Sequence, residues 1–351
     1  VGLLKPNISA IVAQLYPEGG SRRDAGFSIF YMGINVGATL GSLFVPMAAD
    51  AFGWSAGFAL PAIGMLIGLV QFQVTKHYLG TSGVVPMGEP ATWTPIVGFM
   101  VVVVAVMAAV LLGMIQLDPV EVSKGLNWAL LALAAGFFGY LLFAAGLQLD
   151  ERKRVVAMIA LFIACAMFWA GFEQAGASFN LFAERHTDRM MFGWELPAGT
   201  LQAVNPAFII IFAPVFAAIW VNLGRRNLDP SAPAKFAIGL ILMGFGFLVM
   251  FLAARYVVAG ETVLPTWLML TYLLHTFGEL CLSPVGLSSM TKLAPPRFVG
   301  QVMGLWFLAT ALGNNLAGQF AGEIDPNDLP SMPGQFLYLF WWGFIAGVVL
   351  L

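Results

Sequence analysis

Long stretches without a single Asp, Glu, Lys or Arg dominate this sequence. Eight are uninterrupted: Ala25–Ala49, Ala51–Thr75, Ala91–Leu117, Gly125–Leu149, Leu196–Gly224, Phe236–Ala254, Phe298–Gly322 and Leu329–Leu351. Three more carry isolated ionisable residues: Val1–Leu15 with Lys5, Val155–Leu181 with Glu173, and Thr262–Thr291 with His275 and Glu279. An α-helix needs roughly 20 apolar residues to cross a bilayer. In lipid a strand with a free edge leaves its backbone unsatisfied, and these runs are too long and too uniformly apolar for barrel strands. The expected fold class is therefore an all-α polytopic membrane protein with eleven spans.

Composition agrees. The 351 residues are 60% hydrophobic and 10% charged, against about 25% charged in a soluble domain. Too few charges remain to cover the chain in water, so lipid must cover much of it. A net charge of −2 offers no basic face to nucleic acid. Cys165 and Cys281 both sit in apolar runs and read as packing residues, not as a disulfide or a metal pair. The chain begins at Val1 without a signal-peptide pattern and ends at Leu351 inside an apolar run, which reads as a segment of a longer protein.

Lys and Arg give the orientation, because cytoplasmic segments are enriched in them. Alternate connecting segments hold Arg22 and Arg23; Lys76; Arg152, Lys153 and Arg154; Arg225, Arg226 and Lys235; Lys292 and Arg297. The other side holds Lys124, Arg185, Arg189 and Arg255. The first side is expected to be cytoplasmic. Gly80–Thr94 and Asp150–Arg154 read as linkers, and the two runs between them, with almost no polar residue, read as peripheral lipid-facing helices.

Ionisable residues inside a span are costly and usually face a cavity or a partner. Lys5, Glu173 and Glu279 are the strong cases. A static ion pair that fixes helix register is the bland explanation. The sharper one is a cation–anion site that binds a zwitterion, carries protons, or does both. A carboxyl group taken out of water binds its proton more tightly, and a nearby ammonium loosens it again. His275 lies four residues before Glu279 on the same helix face, where a satisfied histidine is the plainer reading and a proton relay the other. Gly33, Gly37 and Gly41 form a small-residue ladder suited to close helix packing. Asn35 and Asn205 need polar partners, either another helix or a substrate backbone. Tyr31, Trp169 and Trp306 can line a pocket or simply pack, and Pro284, after Ser283, can kink its helix. No Walker A, HExxH or GxSxG sequence is present, so neither ATP hydrolysis nor hydrolase chemistry is legible.

Four ordered motifs resemble one family. Phe30-Tyr31-Met32-Gly33-Ile34-Asn35-Val36-Gly37 is similar to the FYxxINxG signature of the proton-dependent oligopeptide transporters, within the major facilitator superfamily. Gly2-Leu3-Leu4-Lys5-Pro6-Asn7 resembles the start of that family's fourth helix. Phe168-Trp169 through Glu173-Gln174-Ala175-Gly176 resembles the seventh, and Gly278-Glu279 through Pro284-Val285-Gly286 the tenth. The resemblance implies a two-bundle major facilitator fold working by alternating access. It divides the chain into 1–78 (helices four to six of the N-terminal bundle), 79–151 (a two-helix insert) and 152–351 (helices seven to twelve, the last open to truncation).

By that resemblance Lys5 and Glu173 pair, and exchange with proton and peptide carboxylate. Glu279, helped by Asn35 and Asn205, takes the peptide ammonium. Tyr31, Trp169, Ser283, Trp306 and Thr310 complete the peptide-binding set, and Lys5, Glu173 and Glu279 form the proton-coupling set. The implied activity is symport of di- and tripeptides with protons across a bacterial inner membrane. No enzyme chemistry, cofactor, metal or nucleic acid is expected. The family's ExxER-type motif belongs to its first helix and is not found in this sequence, and Val36 stands where Leu is usual. The alternatives are a non-transporting peptide sensor on the same fold, an intramembrane enzyme, for which no nucleophile–base pair is visible, and a transporter of a small anion such as nitrate. Glu279 argues against the last, because an anion has no ammonium to place beside it.

Overall fold

A computed structural model describes residues 8, 11–12, 15, 20–82, 93–114, 116, 118–191, 193–322 and 328–351. It is almost wholly helical. In chain order the helices are α1 (Gly20–Phe52), α2 (Trp54–Thr75), α3 (Thr94–Leu111), α4 (Pro119–Gly139), α5 (Leu149–Phe172), α6 (Ser178–His186), α7 (Val204–Arg225), α8 (Ala232–Val258), α9 (Thr266–Leu293), α10 (Val299–Gly322) and α11 (Met332–Leu350). Ten of the eleven apolar runs are thus helices; the first, Val1–Leu15, lies largely outside the described residues. Among the described residues, eight helical stretches are long and apolar enough to cross a membrane. Ile96–Leu111 in α3 is apolar but shorter. The polar side chains Gln301, Asn314, Asn315 and Gln319 lower the hydropathy of α10.

The chain divides into two compact units, Val1–Ile34 with Ala62–Gly125, and Asn35–Pro61 with Leu126–Leu351. In the first unit the side chains of α3 are mostly exposed and apolar, Val97, Phe99 and Val101 among them, as a lipid-facing helix requires. Lys124 pairs locally with Glu121 at 3.0 Å.

The second unit holds a packed bundle of α5, α8, α9, α10 and α11. Helix α8 is buried along most of its length. Glycine makes that possible. A Cβ on Gly239 of α8 would meet Gly278 O of α9 at 2.8 Å, and one on Gly278 would meet Gly239 O at 2.7 Å, so the two backbones touch there. Gly313 of α10 takes the same role against α5, with Ala166 O 2.7 Å away. Lipid tails are as apolar as leucine, so close van der Waals packing, not hydrophobicity, drives such crossings. The Gly33, Gly37 and Gly41 ladder has no close neighbour among the described residues, which leaves its expected packing untested. Apart from the helix's own nearby backbone, no atom of the described residues comes within 4 Å of a Cβ built at any of them.

Helix α4 also corrects the sequence reading. It is not wholly lipid-facing: Asn127, Ala134 and Phe138 are buried, and Leu141 is buried in the π-helical turn Tyr140–Ala144 that continues it. Asn315 of α10 donates to Asn127 Oδ1 at 2.6 Å, and Phe138 meets Phe162 of α5 edge-on. A two-stranded hairpin, β1 (Met190–Met191) with β2 (Trp194–Glu195), interrupts the helices between α6 and α7. Gly193 supplies its positive φ of 80°.

Candidate functional site

Glu279 is the best-defined functional side chain. It is buried in the middle of α9, one residue after the Gly278 crossing. Asn205, in the first turn of α7, reaches it from another helix. The Asn205 amide Nδ2 donates to Thr276 Oγ1 at 2.9 Å and to Glu279 Oε2 at 3.4 Å. Thr276 in turn donates to Tyr272 O at 2.7 Å, which leaves its lone pairs for Asn205. Pro206 follows Asn205 and cannot donate a backbone hydrogen bond, as suits the start of a helix. A buried carboxylate is therefore held in place by an amide that itself is only partly buried.

Glu173 occupies a different kind of position. The expected single span from Val155 to Leu181 is broken there. Helix α5 ends at Phe172, a 3₁₀ turn covers Glu173–Gly176, and α6 begins at Ser178. Ala177 carries the odd backbone angles, φ −119° and ψ −97°. Gln174, fully buried, ties the break together. Its amide donates to Ala170 O at 3.3 Å and to Ala317 O of α10 at 3.0 Å, and its Oε1 accepts from Ser178 Oγ at 2.7 Å. Broken spans are tolerated in membranes where the freed backbone groups are satisfied by neighbours. Glu173 itself is half-buried.

Four of the aromatic and hydroxyl candidates, Trp169, Ser283, Trp306 and Thr310, lie on α5, α9 and α10. Trp169 and Thr310 both face the Cys165 thiol. The Ser283 hydroxyl is buried with no hydrogen-bond partner among the described residues. Trp306 packs edge-on against Phe236, its ring filling the space beside Gly286, and Thr310 donates to its carbonyl at 3.3 Å. Asn35 is buried and Tyr31 half-buried, in different units. Lys5 lies outside the described residues. His275 is almost completely buried among Phe172, Phe179 and Phe247. Its Nε2 bonds Met243 O at 3.1 Å, the satisfied arrangement, while Nδ1 has no partner among the described residues.

Two polar residues of this site escaped the sequence reading. Thr276 lies three residues before Glu279 and so shares its helix face, a spacing that could have flagged it. Gln174 adjoins Glu173 in sequence, but nothing there announces a helix break.

Comparison with known proteins places the chain. The family model described as PTR2, POT family, matches residues 1–328. The peptide transporter YePEPT of Yersinia enterocolitica subsp. palearctica is 40% identical over 348 residues, covering 95% of this chain and 68% of that protein. Dipeptide and tripeptide permease A of Chromobacterium violaceum is 34% identical over 325 residues, covering 92% of this chain and 63% of the permease. The chain thus spans about two thirds of the length of these curated relatives. The crystal structure of a peptide transporter POT in complex with sulfate superposes with a TM-score of 0.86 at 38% identity, covering 99% of this chain and 71% of that one. Likeness in sequence and in fold agree: the chain is an integral membrane protein, and it belongs to the POT family of transporters.

Proposed function

We propose that the full-length transporter carries di- and tripeptides across the membrane together with protons, by alternating access. The observation that supports this best is the buried Glu279 carboxylate held by Asn205 and Thr276. A peptide ammonium entering a low-dielectric cavity loses hydration and needs a fixed anion in return. Glu279 provides the charge and Asn205 fixes its orientation. The relatives' names, peptide transporter and dipeptide and tripeptide permease, fit that substrate class.

In this reading Glu173 is the proton-coupling carboxylate. It sits where α5 gives way to a 3₁₀ turn, a place where small backbone rotations can move a side chain. Lys5 is its partner, and a substrate carboxylate replaces Glu173 when that group takes up a proton. The Ser283 hydroxyl, buried with no hydrogen-bond partner among the described residues, and the Trp169 indole are assigned to a polar ligand, with Tyr31, Asn35, Trp306 and Thr310 completing the peptide set. The chain is read as 1–78 in the N-terminal bundle, 79–151 as a two-helix insert and 152–351 as the C-terminal bundle.

The test is substrate class. Purified full-length transporter in liposomes should take up a labelled dipeptide, and unlabelled di- and tripeptides should compete. Nitrate should not compete. Competition by nitrate with none by tripeptides would replace the peptide reading with the small-anion one.

A further inference from the structure

The end of the bundle that carries most of the Lys and Arg holds a second polar site, which begins on α9 just after Ser283 and does not include Glu279 or Asn205. Three helices and one loop build it. Lys235 lies one turn into α8 and is buried. Its ammonium meets both carboxylate oxygens of Asp229, at 2.7 Å and 2.9 Å. It also lies 4.6 Å from the centre of the Trp220 ring of α7, a cation–π distance. A lysine ammonium has three donors, and the third has no acceptor among the described residues. Facing it, α9 presents Ser288, Ser289 and, in its last turn, Lys292, which has no carboxylate partner among the described residues. Between them is an open cavity of about 340 Å³, lined by Asp229, Lys235, Ser288, Ser289 and Lys292 together with apolar neighbours, Pro284 and Val285 of α9 among them.

We infer that this cavity binds one phosphate monoanion, the phosphodiester headgroup of an anionic phospholipid. Charge supports it: two lysines and one aspartate leave a single positive charge, the complement of one phosphodiester. The lining supports it too, since two lysines and two serines border one space that is ample for a phosphate. The buried Lys235 is pre-positioned by Asp229 and Trp220, so little conformational freedom is lost when an anion arrives. Level also favours the lipid over a free ion. The site lies in the first turns of α8 and the last turn of α9, on the side that the distribution of Lys and Arg makes cytoplasmic. Basic pockets between helices on that side suit anionic headgroups. The inference is independent of which substrate the transporter carries.

The experiment uses purified full-length transporter in neutral detergent. It is titrated separately with phosphatidylglycerol, phosphatidylcholine and inorganic phosphate, with native mass spectrometry for bound lipid and melting temperature for stabilisation. One phosphatidylglycerol per chain should be retained and should raise the melting temperature, while phosphatidylcholine should do neither. Lys292→Gln, an exposed change at a helix end, should weaken phosphatidylglycerol retention by about fivefold, the scale of one lysine at an anionic surface. Lys153→Gln, another exposed lysine on the same side, should leave it unchanged. Equal binding of the two lipids, or equal loss in the two variants, would overturn the site. Saturation by millimolar phosphate with no preference for phosphatidylglycerol would overturn the lipid assignment.

Discussion

Asn205 on α7 holds Glu279 on α9 across 74 residues of sequence, its amide 3.4 Å from the carboxylate and 2.9 Å from the Thr276 hydroxyl one turn away. The three side chains act as one unit. The amide has donors to give, the hydroxyl is turned by its own bond to Tyr272 O, and the carboxylate receives what is left. A fixed anion of this kind favours an ammonium that arrives in a set position.

Glu279→Gln keeps the shape and removes the charge. It should weaken binding of a free dipeptide by roughly 2–5 kcal/mol, the scale for losing one partner of a buried charge pair. An N-acetylated dipeptide should bind the wild type poorly, and the variant should discriminate much less between the two ligands. Calorimetry at one pH, with Glu173→Gln alongside, reads the ratio. If the ratio of free to acetylated affinity survives in Glu279→Gln, the amine is bound elsewhere.

Gln174→Leu should destabilise the break in the span. It leaves Ala317 O and the Ser178 hydroxyl without the partner each now has. An orphaned buried polar group costs about 1–3 kcal/mol. The melting temperature of the purified protein should fall, and hydrogen exchange should rise in residues 173–186. Unchanged exchange in that segment would mean that Gln174 does not hold it.

Much of the fold was legible because the physics of a bilayer is blunt. A run of apolar residues has to be a helix there, and ten runs are helices among the described residues. What was not legible depends on partners far away in sequence. The helix break after Phe172 is held by Gln174 reaching Ala317, 143 residues on. The buried side of α4 rests on Asn127 accepting from Asn315, 188 residues away. The hairpin at Met190–Glu195 has only two residues in each strand, too few for any alternation to register. In the site, Glu279 and Asn205 stood out as polar residues in apolar runs, whereas Thr276 did not, since threonine is common in spans.

Gly278→Ala tests the helix crossing. The added methyl would sit 2.7 Å from Gly239 O, a backbone atom that cannot swing aside. Overpacking of this kind costs roughly 1–3 kcal/mol. Gly300→Ala on α10 meets nothing within 4 Å and should be close to neutral. Equal melting temperatures for the two variants would show that the crossing tolerates a methyl group.

Topology can be checked with single cysteines. Lys153→Cys and Arg226→Cys should resist a membrane-impermeant maleimide added outside intact cells, and Asp188→Cys should label. Cys165 and Cys281 are both buried and should add little background. The opposite labelling pattern would invert the orientation read from Lys and Arg.

The most direct test of proton-coupled peptide transport is uptake against a gradient. Full-length transporter is reconstituted into liposomes whose lumen is more alkaline than the bath, and internal labelled dipeptide is followed over time. The account predicts accumulation above the external concentration, collapse of that accumulation when a protonophore is added, and equilibration without accumulation for Glu173→Gln. Accumulation that persists with protonophore, or that follows a sodium gradient instead, would contradict it.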